Sequence, residues 1–394
     1  MIYMETKKEF KKRLLDPKLD QDLRHLHEDA RVAFNALPEE KKEKSLKAKS
    51  FIIYPFEVRF NQSKTFEEKE SDSLELVKNH LRTFNNVFVS TSHGNDSIVL
   101  CHLVLRAWKE LKNEGIDKPK PEFWLNNTLN VYKEERAYWV LINKILEIED
   151  TFIEFKPPVS DSGKQYTVWS IADEVGHLPS FRSVRGQGNT YDKKTHGSKS
   201  NADTGSKGDT PECCDILKKA SIKNYLKETF KSYIKNEGAK KYDCHFVGTR
   251  AEESSIRMLG VMQRCRSYTI KTKWPYPIRA CTPLSYWKDI DIDQYYIKHA
   301  ILRNPVYKIH NLMRMGCASC PAHKYWEIRL ARDPTDEGFG MLEKNLTILK
   351  NTQIDRFNKS INTLKKAVKS KKVNGLTDEM KLKITNLVNK LSSK

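Results

Sequence analysis

No stretch of the chain approaches the roughly 20 apolar residues that a membrane-spanning helix needs. The opening segment, MIYMETKKEFKKRLLDPKLD, lacks the apolar centre of a secretory signal. A cytoplasmic protein with no membrane partner is therefore the expectation. The Walker A spacing GxxxxGK[ST] is absent, as is any internal repeat. The last 50 residues are rich in Lys but contain no Cys, His or Trp, so redox or metal chemistry is not expected there. RGQGNTYDKKTHGSKSNADTGSKGDTP, 185–211, has almost no apolar residues and reads as a mobile insert. Acidic residues are also in deficit: 70 Lys and Arg face 51 Asp and Glu, a formal net charge of +19. That surplus favours a polyanionic partner such as nucleic acid. Disulfides are not expected in a reducing compartment, so the eight cysteines read as thiols or metal ligands.

What is present has an order. Residues 1–80 read as a helical N-terminal extension, through DQDLRHLHEDARVAFNAL and SDSLELVKNHLRTF, with a strand-like SFIIYPFEVRF between them. From about 81 the pattern alternates. VFVST, EFWLNN, FIEFK, CHFVGT and IRACTPL are short runs rich in β-branched and aromatic residues, and long amphipathic segments separate the first four. This predicts an α/β fold, a doubly wound, mostly parallel sheet with helices on both faces, over 81–340. Residues 341–394 read as a Lys-rich helical C-terminal extension.

Three constellations carry chemistry. The first strand feeds a helix through Ser92-His93-Gly94-Asn95-Asp96-Ser97. Small residues, hydroxyls and helix N–H groups there can surround a phosphate; Ser92 or Asn95 can equally be plain helix caps. Cys213-Cys214 and the CxxC of Cys317 and Cys320 supply four thiolates, suited to a four-iron cluster or a tetrahedral zinc. Neighbouring side chains diverge, so the adjacent pair favours the cluster, with zinc as the alternative. Cys101, inside an apolar helix pattern, reads as a buried structural thiol. In GTRAEESSIRMLG, Arg250 and Arg257 can clamp an anion, with Glu252, Glu253 or Ser254 orienting them. Arg264 and Arg266 flank Cys265 and favour its thiolate; Cys244 and Cys281 are further sulfur-carrier candidates. RSYTIKTKWPYPIR interleaves aromatic and basic residues, either to stack on bases or as a half-buried strand with a proline turn.

Together these residues resemble the phosphoadenosine phosphosulfate (PAPS) reductase/ATP pyrophosphatase superfamily, adenine nucleotide alpha hydrolase-like, in its iron–sulfur subgroup. The resemblance covers roughly 80–335. Ser92–Ser97 are similar to its SGGxDS-type loop, and Gly248, Arg250, Glu253, Ser254 and Arg257 to its GxRxxES-x-x-R element. The paired cysteines resemble its cluster-binding pattern, and CTPLSYWKDIDIDQYYIKHAILRNPVY the segment leading into the CxxC. The resemblance implies adenine-nucleotide binding by Ser90, Ser92, His93, Gly94, Asn95, Asp96, Ser97, Gly248, Arg250, Glu253, Ser254 and Arg257. It implies catalysis by Asp96, Arg250, Arg257 and Cys265, and a [4Fe-4S] cluster on Cys213, Cys214, Cys317 and Cys320. ATP with Mg2+ would be split to AMP and pyrophosphate to activate an acceptor for sulfur transfer, as in DNA phosphorothioation. The partners would be nucleic acid and a cysteine-desulfurase-type sulfur donor. The alternatives are an atypical APS/PAPS reductase or a non-catalytic nucleic-acid-binding member. Two departures stand out. His93 and Asn95 replace the first Gly and the Lys of a common form of the loop, and no cysteine follows Cys320, where the reductases carry a nucleophilic one.

Overall fold

A computed structural model of the chain describes residues 55–160, 163–175, 178, 212–264, 266–270, 275–312, 315–321, 325–370 and 375–392. Cys265, the 185–211 insert and the N-terminal helices expected before residue 55 lie outside the described residues. Six strands form one sheet: β1 (Val87–Thr91), β2 (Glu122–Asn126), β3 (Phe152–Phe155), β4 (Cys244–Val247), β5 (Ser267–Ile270) and β6 (Ile278–Cys281), in the order β3-β2-β1-β4-β6-β5. β1 pairs parallel with β4, and β4 parallel with β6; β5 closes that edge antiparallel to β6. The fold is thus α/β with a mostly parallel sheet. The chain runs outward from β1 to β2 and β3, then returns to β1's other side with β4. That reversal marks β1/β4 as the switch point where doubly wound sheets hold ligands.

The chain divides into two units. One combines Met1–Trp124, Ile148–Phe152 and Thr229–Arg303. Within it, α1 (Pro55–Ser63) lies where alternation predicted a strand. The correction has a plain cause. Pro55 is the first described residue of the helix, and its fixed φ suits a helical turn. Val58 and Gln62 are the buried residues, one helical turn apart, while Phe60 is 36% exposed; a strand would have buried 58 and 60 together. Helix α2 (Phe66–Thr83) starts at a capping box: Thr65 N–H donates to Glu68 Oε2 at 2.8 Å and Glu68 N–H to Thr65 Oγ1 at 3.3 Å. It is followed by β1 and by α3 (Asn95–Asn113), whose Leu100, Leu103, Val104 and Leu111 are fully buried. Phe88 of β1 stacks between Trp124 and His245, with centroids 3.8 and 4.3 Å away. Beyond β4 come α7 (Ser255–Arg264) and α8 (Asp289–Lys298).

The second unit combines Leu125–Glu147, Ile153–Glu228 and Asn304–Lys394. It contains α4 (Lys133–Ile145), α5 (Val168–Val175), the start of α6 (Ser221–Ile234), α9 (Val306–Ile309), α10 (Trp326–Ala331), α11 (Asp336–Thr352), α12 (Ile354–Lys369) and α13 (Asp378–Ser392). Leu342, Leu346, Leu349, Leu364 and Ile384 from the last three helices share one core with Val168, Leu217 and Cys213. The Lys-rich C-terminal helices therefore share the core on which Cys213 and Cys214 pack. Leu346→Ala is expected to destabilise the protein by about 2–5 kcal/mol through a cavity at this fully buried position; urea unfolding reads it directly.

Candidate functional site

At the end of β1 the chain turns sharply into α3. His93 takes the left-handed conformation, φ 52°, that glycine adopts without strain. Its N–H donates to Thr91 Oγ1 at 3.0 Å, and its fully buried ring meets Phe152 edge-on at 5.6 Å. His93 holds this conformation through local hydrogen bonding and packing. The N-cap of α3 is Gly94, with no side-chain cap, so neither Ser92 nor Asn95 is the capping residue. Ser97 ties the turn instead: its Oγ accepts from Ser92 N–H at 3.2 Å, lies 3.3 Å from Ser92 Oγ, and donates to Gly94 O at 2.9 Å. Asn95 O accepts from Tyr296 OH at 3.2 Å.

The neighbouring parallel strand β4 delivers Gly248 and Arg250 to the same edge. A Cβ on Gly248 would stand 3.5 Å from Asp96 O, so the two loops lie in direct contact. Arg250 is 5% exposed. Its Nε faces Asp96 Oδ1 at 3.0 Å, one terminal nitrogen reaches Asp289 Oδ1 at 2.6 Å, and the other lies 3.4 Å from Glu252 Oε2. Arg250 N–H donates to Glu253 Oε1 at 3.4 Å; the same carboxylate pairs with Arg257, whose N–H donates to Ser254 Oγ at 3.3 Å. Arg250 is turned inward as a clasp between motifs, and Arg257, a third exposed, is the guanidinium that meets solvent. Burial raises the Asp96 pKa, more than the Arg250 charge lowers it. Its ionised form is short of solvation, a state that a cation or a hydrogen-bond donor would relieve.

Ser90, expected at the nucleotide, turns its hydroxyl to His245 Nε2 at 2.7 Å. Burial pushes His245 down to about 3. A base depressed this way protonates more readily unfolded, so its contribution to stability is complete above the unfolded value near 6.5 and falls as pH drops towards 3. Between pH 8 and pH 5 the loss should be about 2 kcal/mol at about 1.4 kcal/mol per unit. Urea unfolding of His245→Gln at both pH values should show that component missing.

In the second unit, Asn130 grips the CxxC loop. Its carbonyl accepts from Ala318 N–H at 2.8 Å and its Nδ2 donates to Ser319 Oγ at 2.8 Å. Asn345 Nδ2 donates to Ser319 O at 2.8 Å, Arg329 to Ala318 O at 2.6 Å, and Cys317 Sγ to Thr128 Oγ1 at 3.5 Å. Cys213 and Cys214 occupy one helical turn, Glu212–Cys214, that continues into a π-helical turn, Asp215–Ala220, a distortion frequent at functional sites. The four thiols feel one another. The hydrogen bond with Cys214 raises Cys213, as do Cys320 and Cys317, and its counterpart lowers Cys214 to about 6. Lys218, half-buried among them, is held protonated first by Cys317, then by Cys214, Cys320 and Cys213. No three of these sulfur atoms lie within 4.8 Å of one another. A tetrahedral zinc would need its sulfurs about 4 Å apart. Among the described residues these sulfurs are not gathered as tightly as a tetrahedral zinc would hold them.

The remaining cysteines divide clearly. Cys101 is buried, as read from its helix, and burial pushes it up to about 12. Cys244 and Cys281, considered as sulfur carriers, are fully buried within β4 and β6; burial raises the first well above its ordinary value and the second to about 12. Neither is placed to exchange sulfur. Arg266 is spent on Pro283 O and Ser73 Oγ, at 2.7 and 3.0 Å. Tyr276 is buried with its hydroxyl accepting from Tyr242 N–H, so it is no platform for a base. Lys218, read with Lys219 as following the cysteine pair, does stand beside the thiols; Asp289, Asn130 and His245 escaped the sequence reading, and only Asn130's place after a strand signalled anything.

Residues 184–323 match the family model described as Phosphoadenosine phosphosulfate reductase domain. That span holds all four paired cysteines and the Arg250–Arg257 element, while the Ser92–Ser97 turn lies before it. No curated protein matches it. Similar solved structures include phosphoadenylyl-sulfate (PAPS) reductase from Candida auris in a phosphate complex: 13% identity, 64% of this chain and 93% of that one, TM-score 0.38. FMN adenylyltransferase from Candida glabrata, with FMN and an ATP analogue, shows 10% identity over 66% of this chain and 68% of that one, TM-score 0.36. The U34-tRNA thiolase NcsA from Methanococcus maripaludis, with its [4Fe-4S] cluster, shows 12% identity over 72% and 80%, TM-score 0.32.

Proposed function

We propose that the chain binds ATP with Mg2+ at the Ser92–Ser97 turn and splits it between the α and β phosphates. An acceptor oxygen would be adenylated with release of pyrophosphate; the terminal sulfur of a desulfurase-type persulfide would then displace AMP, and a thiol reductant would cleave the resulting disulfide to release the donor cysteine. The observation that carries this reading is the Arg250–Asp96 ion pair, 3.0 Å long, which joins the two family motifs across the switch point. Ser90, Ser92, His93, Gly94, Asn95, Ser97, Gly248, Glu253 and Ser254 shape the nucleotide pocket in this reading. Asp96 holds the metal or phosphate, Arg257 stabilises charge developing on the leaving pyrophosphate, and Arg250 acts through Asp96 by holding the two motifs in register. Cys265 is the proposed sulfur-handling thiol. Residues 81–340 would carry the chemistry, flanked by 1–80 and 341–394. Cys213, Cys214, Cys317 and Cys320 would hold a [4Fe-4S] cluster, which supplies an iron site or electrons for sulfur handling.

A net charge of +19 supports nucleic acid as the acceptor, sulfur-modified as in DNA phosphorothioation. Among the described residues no helix is long and apolar enough to cross a membrane, in keeping with a cytoplasmic site of action. The test is pyrophosphate release from ATP, without acceptor and with DNA or tRNA. Stimulation by one acceptor is the expected result. Sulfite released from PAPS with a thiol donor, and no pyrophosphate from ATP, would sink the proposal in favour of a reductase.

A further inference from the structure

A cluster in the second unit lies outside everything assigned above. His310 follows α9 directly and is 1% exposed, its ring stacked on Tyr132 at 3.7 Å and 23°. Asp333 holds its Nδ1, with oxygens at 2.9 and 3.1 Å. Asp333 is itself fixed by Thr335, whose N–H and hydroxyl donate to it at 2.9 and 2.7 Å. Space for that carboxylate depends on Gly338: a Cβ there would lie 2.3 Å from Asp333. A histidine that gives its Nδ1 proton to a carboxylate presents Nε2 as a lone pair. That nitrogen faces Glu134 Oε2 at 3.1 Å.

The third member decides what the cluster is for. One ligand atom each from Glu134, His310 and Glu337 lies within 4.8 Å of the other two. Glu337 Oε2 is buried and has no hydrogen-bond partner among the described residues. Lys133, 3.7 Å from Glu134 Oε1, is 81% exposed, too solvated to balance the group.

We propose that Glu134, His310 and Glu337 bind a divalent first-row transition cation, with Asp333 as the positioning residue that aims the imidazole. One imidazole nitrogen and two carboxylate oxygens suit Zn2+ or Mn2+, with water completing the shell. Glu134 lies in the first turn of α4 and Glu337 in the first turn of α11, so the ion staples three separate segments of this unit. It also anchors the strand of chain that runs from His310 to Cys317. The donors are nitrogen and oxygen only, which separates this site from the cysteines.

The experiment titrates the EDTA-treated full chain with Co2+, followed by visible absorption, and with Zn2+, followed by thermal unfolding. The wild type should take up one Co2+ whose d–d bands lack sulfur-to-cobalt charge transfer, and Zn2+ should raise its melting temperature. Glu337→Gln should lose that band and the shift while keeping any thiolate-linked cobalt signal. Asp333→Asn should weaken binding about 10–100-fold. Should Glu337→Gln fail to fold, Glu134→Gln at the more exposed corner makes the same comparison. Equal Co2+ stoichiometry and affinity in wild type and both Gln variants would overturn the proposal, as would a wild type that binds only sulfur-ligated cobalt.

Discussion

Arg250→Met should cost about 3 kcal/mol of stability, as loss of one partner from a buried ion pair does. It should also lower pyrophosphate release at least about 100-fold, the scale of losing one preorganised charge. Arg250 ties the loop after β4 to the first turns of α3 and α8 through Asp96 and Asp289. Without it, Asp96, Glu252, Glu253 and Asp289 face one another with Arg257 as the remaining guanidinium. Asp96 is already short of solvation, so its pKa should climb further. The sign follows. A carboxyl raised above its unfolded value weakens the fold at neutral pH, and the deficit shrinks as pH falls below the folded value and Asp96 takes up its proton. Arg250→Lys keeps the charge but loses the planar fork that reaches two carboxylates, and should fall between. A double-mutant cycle with Asp96→Asn isolates the pair, with coupling of about 1 kcal/mol or more. An Arg250→Met protein as stable and as active as wild type would remove the clasp from the argument.

The strand-turn-helix around Ser92–Ser97 was legible because it is local: a β-branched run, small residues, then an amphipathic helix. The parallel sheet followed from alternation of strands with long helices. Other features needed the fold itself. Arg250 and Asp289 are 39 residues apart in sequence, and no spacing rule links them; the sequence therefore suggested a free anion clamp where the structure has an occupied one. SFIIYPFEVRF carries both a strand period and a proline-initiated helix, and burial of Val58 with Gln62 decided for the helix. The antiparallel β5 edge lies within a stretch whose basic and aromatic residues also suggested base stacking. The His310 cluster gave no signal because its members are spread from 134 to 337.

The largest effect is expected at the cysteines. Purified without oxygen, the wild type should carry about four irons per chain, and Cys317→Ser or Cys320→Ser should fall below about a tenth of that, since a four-iron cube needs its thiolates. Cys101→Ser and Cys281→Ser are the controls; both thiols are buried and held protonated, and both variants should keep their iron. The chemistry of the pocket favours loading. The hydrogen bond from Cys213 lowers Cys214 to about 6, and Lys218 adds a positive charge that thiolates compensate. In metal-free protein, Cys214 should therefore be alkylated already at pH 7, ahead of an ordinary thiol near 8.5. Lys218→Met should move that reactivity to higher pH and slow cluster insertion without removing a ligand. Because Cys213 packs in one core with Leu217, Leu346 and Leu364, loss of iron should also lower the melting temperature of the C-terminal helices. A colourless wild type holding one zinc, or iron retained in both Ser variants, would refute the cluster assignment while leaving the nucleotide site untouched.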